Sequence, residues 1–386
     1  MGALAVAEPP ETKLADTPLE GPSENGWTGG QYSLFRAFLG TLLVGLFVYL
    51  VVRFSKTDSL EWAGGATAGI ILSLLFLVGR WHRTAAIALI FLTMPLQFTS
   101  GHQLGPSLMI MALVLVLHTL VPPNPFGSWA ARGSPDPTGG WRMPREVQLA
   151  AWLFLSLGYI GQGIGLYMFQ HETFALDPAT LCALVTIHCG FGVLCIARLL
   201  RPFVWLLMLG VQIFLIFPPV DWEWVIWVLP LHLFVFDPGW IRPASLDEPV
   251  ITFYDGDCGL CHRAVRFVLS EDRTGFASDF ACLGGPTFEY MFAEDEELLQ
   301  QLPDSMLVHC ENRTLLVKSS AMLCLMRRLG GLWRVAAWGL GLVPMAVRDW
   351  FYDFVARRRG RWFRSPDDAC PLIAGRMRER FLDIQA

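Results

Sequence analysis

The segment VITFYDGDCGLCHRAVRFVL, residues 250–269, holds the one CxxC motif of the sequence, formed by Cys258 and Cys261. A thiolate rather than a thiol attacks a disulfide, and a free cysteine has a pKa of about 8.5. A CxxC motif at a helix N-terminus lowers that pKa to about 3.5–7.5, because backbone N–H groups and the helix dipole favour the anion. The motif therefore predicts thiol–disulfide exchange, with Cys258 as the exposed attacking sulfur and Cys261 as the thiol that resolves the mixed disulfide.

The residues around the motif predict a strand, a tight turn and a helix. Val250–Tyr254 is a short β-rich run, and the Asp-Gly pair that follows it is typical of a turn. Beyond the turn, apolar residues recur at helical spacing, namely at Leu260, Ala264, Val265, Val268 and Leu269. This pattern places Cys258 at the start of the helix and Cys261 one turn in, with Asp257 as the predicted N-cap.

The charged neighbours act on the two thiols in opposite directions. His262 adds positive charge when it is protonated, and positive charge favours a thiolate. Asp255 and Asp257 raise the pKa of a nearby thiol, unless one of the two carboxylates accepts the proton of a buried Cys261. The sequence leaves the balance between these effects open.

Three other interpretations of the CxxC segment stay open. A CxxC is often half of a zinc site, but no second pair exists, so we expect no metal and no cofactor other than the dithiol. FYDGDCG also resembles the start of a haloacid-dehalogenase-type phosphotransferase, although Gly259 stands where such sites usually carry Thr or Val. In the third interpretation, the two cysteines are unreactive buried thiols that behave as small hydrophobic residues.

Downstream of this segment, the pattern predicts a hairpin and then three helices. The hairpin strands are 305–310 and 314–318, with turn residues 311–313 between them. The helices are 320–329, 332–343 and 345–358. The second carries two tryptophans, and it is expected to pack on the sheet, with a position in the membrane interface as the alternative. Several arginines either face anionic lipids or form a solvated basic surface; they are Arg327, Arg328, Arg357, Arg358, Arg359, Arg361 and Arg364.

The composition before residue 240 is that of a membrane protein. The chain of 386 residues is 53% hydrophobic and only 16% charged, whereas soluble domains are about a quarter charged. A membrane span needs roughly 20 apolar residues, and the sequence offers eight candidate segments. They are Ser33–Val52, Trp62–Gly79, Thr84–Phe98, Pro106–Val121, Val147–Phe169, Pro178–Ala197, Pro202–Phe217 and Trp222–Phe236.

The distribution of basic residues predicts the orientation of these spans. With the N-terminus inside, the outer loops hold only Arg53 and Lys56, and the remaining loop arginines fall inside. Both termini are therefore expected to be cytoplasmic, in a multi-pass protein of the plasma (inner) membrane. This expectation depends on parity, because loss of the last and shortest span, which carries Glu223, moves the C-terminal part to the other side.

Two further features complete the membrane part. The first 30 residues lack the basic start and apolar core of a signal peptide, and their composition predicts a disordered cytoplasmic tail. Histidines at membrane depth are either functional or bonded across helices; they are His118, His188 and His232, with His102 and His171 as possible neighbours in outer loops. No basic footprint typical of a nucleic-acid-binding protein is present.

Three ordered blocks between residues 249 and 374 resemble the DCC-type thiol-disulfide oxidoreductases. They are FYDGDCGLCHRAVRFVL, KSSAMLCLMRRLGGLWR and VPMAVRDWFYDFVARRRGRWF with a later Cys. The resemblance implies a thioredoxin-like fold and redox chemistry at Cys258 and Cys261. It also carries over Asp255 and Gly256, and family-pattern residues of undefined role, which are Ser320, Arg348, Asp349, Tyr352 and Cys370. A thioredoxin-like site usually has a cis-proline opposite the CxxC, and Pro303 is the nearest candidate.

The segment SLFRAFLGTLL and the fusion to such a domain resemble the multi-helix HTTM membrane domain, which is related to vitamin K-dependent carboxylase. A DoxX-like four-helix protein is a weaker match. The expected fold is thus a multi-pass α-helical membrane bundle of about eight spans fused to a C-terminal α/β thioredoxin-like domain. The expected boundaries are a tail at 1–30, the membrane domain at 31–240 and the thioredoxin-like domain at 249–386.

Two functions follow from these expectations. In the first, the protein is a membrane-anchored thiol-disulfide oxidoreductase whose partners are a thiol or disulfide protein, or a small disulfide, and the lipid bilayer. In the second, the membrane part is an HTTM-like enzyme or a transporter, and the CxxC domain is a docking or metal-binding module. Neither function involves nucleic acid.

Overall fold

The computed structural model describes residues 25–56, 60–99, 105–134, 136–173, 177–216, 222–244, 250–293, 302–303, 305–310, 314–363 and 375–384. The chain forms two compact units. The apolar unit comprises Tyr32–Arg132 and Trp141–Trp240, and the sheet unit comprises Met1–Gln31, Gly133–Gly140 and Ile241–Ala386.

The apolar unit is built from helices, because its sequence is nearly uninterrupted apolar residues between short polar turns. The helices are α1 (Gly29–Ser55), α2 (Leu60–Val78), α3 (His82–Thr99), α4 (Gly105–Leu120), α5 (Arg145–Thr173), α6 (Pro178–Leu194), α7 (Arg201–Ile216) and α8 (Trp222–Val235). The pairs α3–α4 and α5–α6 pack together, and α8 contacts α4, α5 and α7. Their shared core contains Leu43 and Phe47 of α1, Leu115 of α4 and Tyr159 of α5, all without exposed surface.

Three of the described helices are long and apolar enough to cross a membrane, rather than the eight predicted from sequence. They are Gly29–Ser55, Glu61–Val78 and Arg145–Met168. A fourth span results if Pro178–Leu194 and Arg198–Phe214, which meet at a 115° bend, are counted as one broken span. The other helices are shorter or less apolar, and proline lies inside two of them, at Pro95 of α3 and Pro230 of α8.

Buried histidines of the apolar unit bond to tyrosines on other helices. His118 Nδ1 lies 2.6 Å from the hydroxyl of Tyr32, and His232 Nε2 contacts the hydroxyl of Tyr159. His188 instead bonds the carbonyl of Leu184 on its own helix at 2.8 Å. These contacts match the interpretation of histidines bonded across helices for two of the three, and His102 lies outside the described residues.

The sheet unit contains a four-stranded mixed sheet in the order β2-β1-β3-β4. Its strands are β1 (Val250–Tyr254), β2 (Ser278–Cys282), β3 (Leu307–His309) and β4 (Leu315–Val317). β1 pairs parallel with β2 and antiparallel with β3, and β3 pairs antiparallel with β4. The predicted hairpin is present with shorter strands, and its turn residues 311–313 lie outside the described residues. β2 is a strand that the sequence did not predict.

Helices cover both faces of this sheet. They are α9 (Gly259–Glu271), α10 (Pro286–Phe292), α11 (Lys318–Leu329), α12 (Gly331–Gly341), α13 (Met345–Ala356) and α14 (Arg359–Trp362). Side chains alternate along the strands, so Tyr254 and Val308 join one apolar cluster, while Phe253 and Leu307 join another with Phe292 of α10. The predicted helices 320–329, 332–343 and 345–358 correspond to α11, α12 and α13, within two residues at each end.

A buried carboxylate fixes the C-terminal end of α9. Glu271 has no exposed surface, and it accepts hydrogen bonds from the Thr28 hydroxyl, the Gly30 N–H at 2.8 Å and Trp333 Nε1 at 2.7 Å. Burial raises the pKa of Glu271, while these hydrogen bonds oppose the rise. Trp333 also packs edge-on against Phe267 of α9, so α12 packs on the helix that carries the CxxC motif.

Candidate active site

The predicted strand, turn and helix around the CxxC motif are present. β1 ends at Tyr254 and α9 begins at Gly259, so Cys258 is the residue that caps the helix. Its backbone is extended, with φ −97° and ψ 109°, and its sulfur accepts the Cys261 N–H at 3.3 Å. The prediction of Asp257 as N-cap is therefore wrong, because the Asp255 carboxylate accepts the Asp257 N–H at 2.9 Å and the turn closes one residue later.

Both cysteines of the motif are buried, and each retains 7% of its surface. The prediction that the Cys258 sulfur is exposed is therefore wrong. Its side chain turns inward to cap the helix, and it belongs to the same apolar cluster as Cys261, Tyr254 and Val265. The two sulfurs thus face each other across the first turn of α9, and neither is bonded in a disulfide.

This placement gives the two thiols opposite acidities. The pKa of Cys258 is lowered to about 6, first because the Cys261 thiol donates a hydrogen bond to its thiolate. Backbone N–H groups of the first turn and the charge of Arg359 add to this effect, while burial opposes it. The same hydrogen bond, together with burial, raises the pKa of Cys261. At pH 7 about nine-tenths of Cys258 is therefore thiolate, against about 3% for a free cysteine.

Two contacts hold the turn before Cys258. Arg359 Nη2 lies 3.2 Å from the second oxygen of Asp255, with 20% and 31% of the two side chains exposed. His262 Nε2 donates to the Gly256 carbonyl at 2.7 Å. Both oxygens of Asp255 are therefore engaged, one by Arg359 and one by the Asp257 N–H, which positions this carboxylate to hold the turn.

Tyr352 and Met306 complete the surroundings of the thiols. The Tyr352 hydroxyl accepts the Met306 N–H at 3.1 Å, directly before β3. Burial raises the pKa of Tyr352, and the nearby charges of Cys261 and Cys258 raise it further. Pro303 does not have the predicted cis peptide bond, since the described residues contain none. Its carbonyl instead accepts the Ser305 N–H at 2.7 Å.

The other family-pattern residues lie around the start of α11. The Asp349 carboxylate accepts from both the hydroxyl and, at 3.3 Å, the N–H of Ser319, and Arg348 donates to that hydroxyl at 3.4 Å. Ser320 lines a cavity beside Arg348. These residues fix α13 against α11 rather than joining the two thiols, and Cys370 lies outside the described residues.

Sequence reasoning missed the roles of Arg359, Ser319 and Met306. Arg359 is one of several arginines in a row, and nothing in their spacing distinguishes the one that reaches Asp255. Ser319 lies next to the predicted Ser320. Within the described residues, no group of three or more His, Cys, Asp or Glu side chains is placed to hold a metal ion.

Comparison with known proteins gives a family match in the sheet unit and matches to two relatives. Residues 252–365 match the family model described as DCC1-like thiol-disulfide oxidoreductase. The uncharacterized protein YuxK of Bacillus subtilis is 32% identical over 132 residues, which make up 34% of this chain and 93% of YuxK. The DCC family protein At1g52590, chloroplastic, of Arabidopsis thaliana is 28% identical over 137 residues, or 77% of that protein. No solved structure matches.

Proposed function

The chain belongs to the DCC1-like thiol-disulfide oxidoreductase family, and from this premise we propose that it exchanges disulfides through Cys258 and Cys261. The observation that carries the proposal is the sulfur of Cys258 at the N-terminus of α9, where it accepts the Cys261 N–H. The order β2-β1-β3-β4, with one parallel and two antiparallel pairs, supports a thioredoxin-like fold for this unit.

The exchange begins with attack by the Cys258 thiolate on one sulfur of a partner disulfide. A bond forms between Cys258 and that sulfur, the partner's S–S bond breaks, and the second partner sulfur leaves as a thiolate. Cys261 then loses its proton and attacks Cys258, which releases the first partner sulfur. Two electrons pass from the dithiol to the partner, and the released thiols take up the Cys261 proton and one proton from solvent.

The charge on Cys258 determines when Cys261 can lose its proton and attack. While Cys258 is a thiolate, its hydrogen bond and negative charge keep Cys261 protonated. Once Cys258 is in a mixed disulfide, its negative charge is gone. The pKa of Cys261 therefore falls, and the Cys261 thiolate forms more easily. Asp255 keeps the turn in place throughout, because Arg359 and the Asp257 N–H hold both of its oxygens.

A reductase assay with a fluorescent small disulfide, such as a self-quenched di-eosin glutathione disulfide, tests this function. We expect Cys258→Ser to abolish turnover and Cys261→Ser to accumulate a mixed disulfide on Cys258. Cys282→Ser is the matched control, since Cys282 lies on β2 outside the motif, and it should retain turnover. Equal activity in the Cys258→Ser protein would refute the role of the motif.

We also propose that α1–α8 form a multi-pass bundle that anchors this unit in the plasma membrane with both termini in the cytoplasm. Large apolar side chains of the apolar unit are strongly exposed, including Phe91 and Phe203 at 74% and Phe214 at 71%. Lipid tails would cover such surfaces, which soluble monomers rarely expose in large patches. The arginine bias of the inner loops supports the orientation.

An impermeant maleimide applied to right-side-out and inside-out vesicles tests the orientation. A cysteine introduced at Glu379, which is exposed, should react only in inside-out vesicles, in a chain whose native cysteines are replaced by serine. Reaction in right-side-out vesicles would show that the bent pair Pro178–Leu194 and Arg198–Phe214 is a single broken span, or that α8 does not cross.

A second candidate function places the chemistry in the apolar unit, as an HTTM-like enzyme or a transporter. The observation that favours it is Arg36 of α1, which is 2% exposed, and whose Nε and Nη1 have no hydrogen-bond partner within the described residues. Ionisable groups buried at membrane depth often mark functional sites. In this case the chain should keep its cellular function when both motif cysteines are serine and lose it when Arg36 is glutamine.

A further inference from the structure

A second pair of cysteines lies close together outside the CxxC motif. Cys310 follows β3 directly, and Cys324 lies in the middle of α11. Their sulfurs are 4.0 Å apart, and both residues are half-buried and reduced. A disulfide has an S–S distance of about 2.05 Å, so the two sulfurs need to approach by about 2 Å, which is within the range of side-chain rotation.

This pair lies at the opposite end of the sheet from Cys258. The CxxC motif follows the C-terminal end of β1, whereas β3 runs antiparallel to β1 and pairs Ile251 with His309. Cys310 therefore lies beside the start of β1, and Val250 lines the same cavity. Five strand residues span about 13 Å at 3.3 Å per residue, so the two dithiols are too far apart to exchange directly.

Both cysteines of this second pair line a basic cavity. It has a volume of about 600 Å³, and its lining includes Cys310, Cys324, Arg327, Arg328 and Arg348. Sites for small molecules commonly measure about 300–1,000 Å³. None of the described lining residues is acidic, so the positive charge of the three guanidinium groups favours an anionic ligand.

The three arginines differ in what holds them. Arg328 is buried and donates to the carbonyls of Phe276 and Ala277, and Arg348 donates to the Val343 carbonyl. Arg327 is exposed, and its guanidinium makes no hydrogen bond in the described part of the chain. Arg327 is therefore the group placed to pair with a carboxylate that enters from solvent.

We propose that Cys310 and Cys324 form a second redox centre, which reduces low-molecular-weight disulfides whose carboxylates bind the arginines of this cavity. Burial raises the pKa of Cys324 to about 12, so Cys310 makes the first attack. Cys310 bonds to one sulfur of the ligand, and the other leaves as a thiolate. Cys324 then loses its proton and displaces the bound sulfur, which gives a Cys310–Cys324 disulfide and two ligand thiols, with two electrons transferred.

The test uses the full chain in detergent micelles with Cys258→Ser and Cys261→Ser, so that failure of the CxxC function does not affect it. The probe is dithiobis-nitrobenzoate, a disulfide with two carboxylates, added below stoichiometry and followed by alkylation and peptide mapping. We expect a Cys310–Cys324 disulfide in this background and, in a chain with Cys324→Ser added, a stable mixed disulfide on Cys310. Modification of the two cysteines without a cross-link between them would overturn the proposal.

The preference for anions is tested with matched charge variants. Arg327→Gln should lower the rate of Cys310 with dithiobis-nitrobenzoate, relative to neutral dithiodipyridine, by about two- to fivefold, as expected for loss of an exposed ion pair. Arg378→Gln removes an exposed arginine next to β2, at the other edge of the sheet, and should leave that ratio unchanged. An equal effect of Arg327→Gln on both probes would rule out carboxylate recognition.

Discussion

Replacing Cys261 tests whether its thiol is what makes Cys258 acidic. The Cys261 thiol is the largest cause that lowers the pKa of Cys258 to about 6. Cys261→Ala removes this donor but keeps the backbone N–H that lies 3.3 Å from the Cys258 sulfur. Cys261→Ser is the matched control, because a hydroxyl still donates to the thiolate from the same position.

The size of the effect follows from the strength of such a hydrogen bond. A hydrogen bond to a charged group contributes about 1.5–3 kcal/mol, which corresponds to about 1 to 2 pKa units. In Cys261→Ala the pKa of Cys258 should therefore rise from about 6 to about 7–8. At pH 7 the thiolate fraction should fall from about nine-tenths to between about a half and a tenth.

The assay is the pH dependence of Cys258 alkylation by iodoacetamide, with the modified peptide quantified by mass spectrometry. In the chain with both cysteines, the rate should rise as the pH passes upward through about 6, where the thiolate forms, and should level off above it. The Cys261→Ala curve should shift to higher pH, and the Cys261→Ser curve should stay close to the original. If alanine leaves the midpoint unchanged, then the backbone and Arg359 alone make Cys258 acidic, and the Cys261 thiol does not contribute.

Three further predictions concern the charged side chains of Arg359, Glu271 and Arg36. Arg359→Gln should raise the pKa of Cys258 by only about 0.2–0.7 units, because Arg359 is partly exposed and its charge is screened. Added salt should reduce the difference between the alkylation midpoints of this variant and the unmodified chain. Glu271→Gln should lower the free energy of unfolding by about 1–3 kcal/mol, since buried donors lose an acceptor, whereas Glu289→Gln at an exposed position should change a thermal melt little. Arg36→Met should raise thermal stability in micelles, because it removes a buried and incompletely paired charge; a lower melting temperature would show that the guanidinium is satisfied.

The sequence predicted the local features of the site better than its three-dimensional surroundings. The β-rich composition of Val250–Tyr254 and the three-and-four spacing after Gly259 reflect local preferences, so the strand, turn and helix appear where expected. The inward rotation of the Cys258 side chain depends on which of two adjacent residues, Asp257 or Cys258, caps the helix. That choice is decided by the Asp255 carboxylate, which captures the Asp257 N–H.

Contacts between residues far apart in the chain could not be predicted from the sequence. β2 is five residues that include Asp279, and only its parallel pairing with β1 makes it a strand. Arg359 reaches Asp255 across 104 residues, and none of its neighbouring arginines differs from it in type. The predicted spans do form eight helices, but α4, α7 and α8, with 16, 16 and 14 residues, are shorter than the roughly 20 residues that a span needs.

The acidity of Cys258 also sets the direction in which the dithiol favours exchange. A thiolate that is stabilised only in the reduced form makes the disulfide a stronger oxidant. With a pKa of about 6, the reduced form at pH 7 gains about 1.4 kcal/mol over an ordinary dithiol, which raises the reduction potential by about 30 mV. Oxidation of the pair releases two protons below pH 6 and one above it, since Cys261 stays protonated.

The potential of the Cys258–Cys261 pair should therefore fall by about 59 mV per pH unit below pH 6 and by about 30 mV per pH unit above it. Equilibration with glutathione buffers from pH 5 to pH 8, with alkylation to trap the thiols, measures this slope. A constant slope of about 59 mV per pH unit up to pH 8 would mean that Cys258 is a thiol at neutral pH. In that case the hydrogen bond across the first turn of α9 does not activate Cys258. The pair would then be no more nucleophilic, and its disulfide no more oxidising, than any other close dithiol.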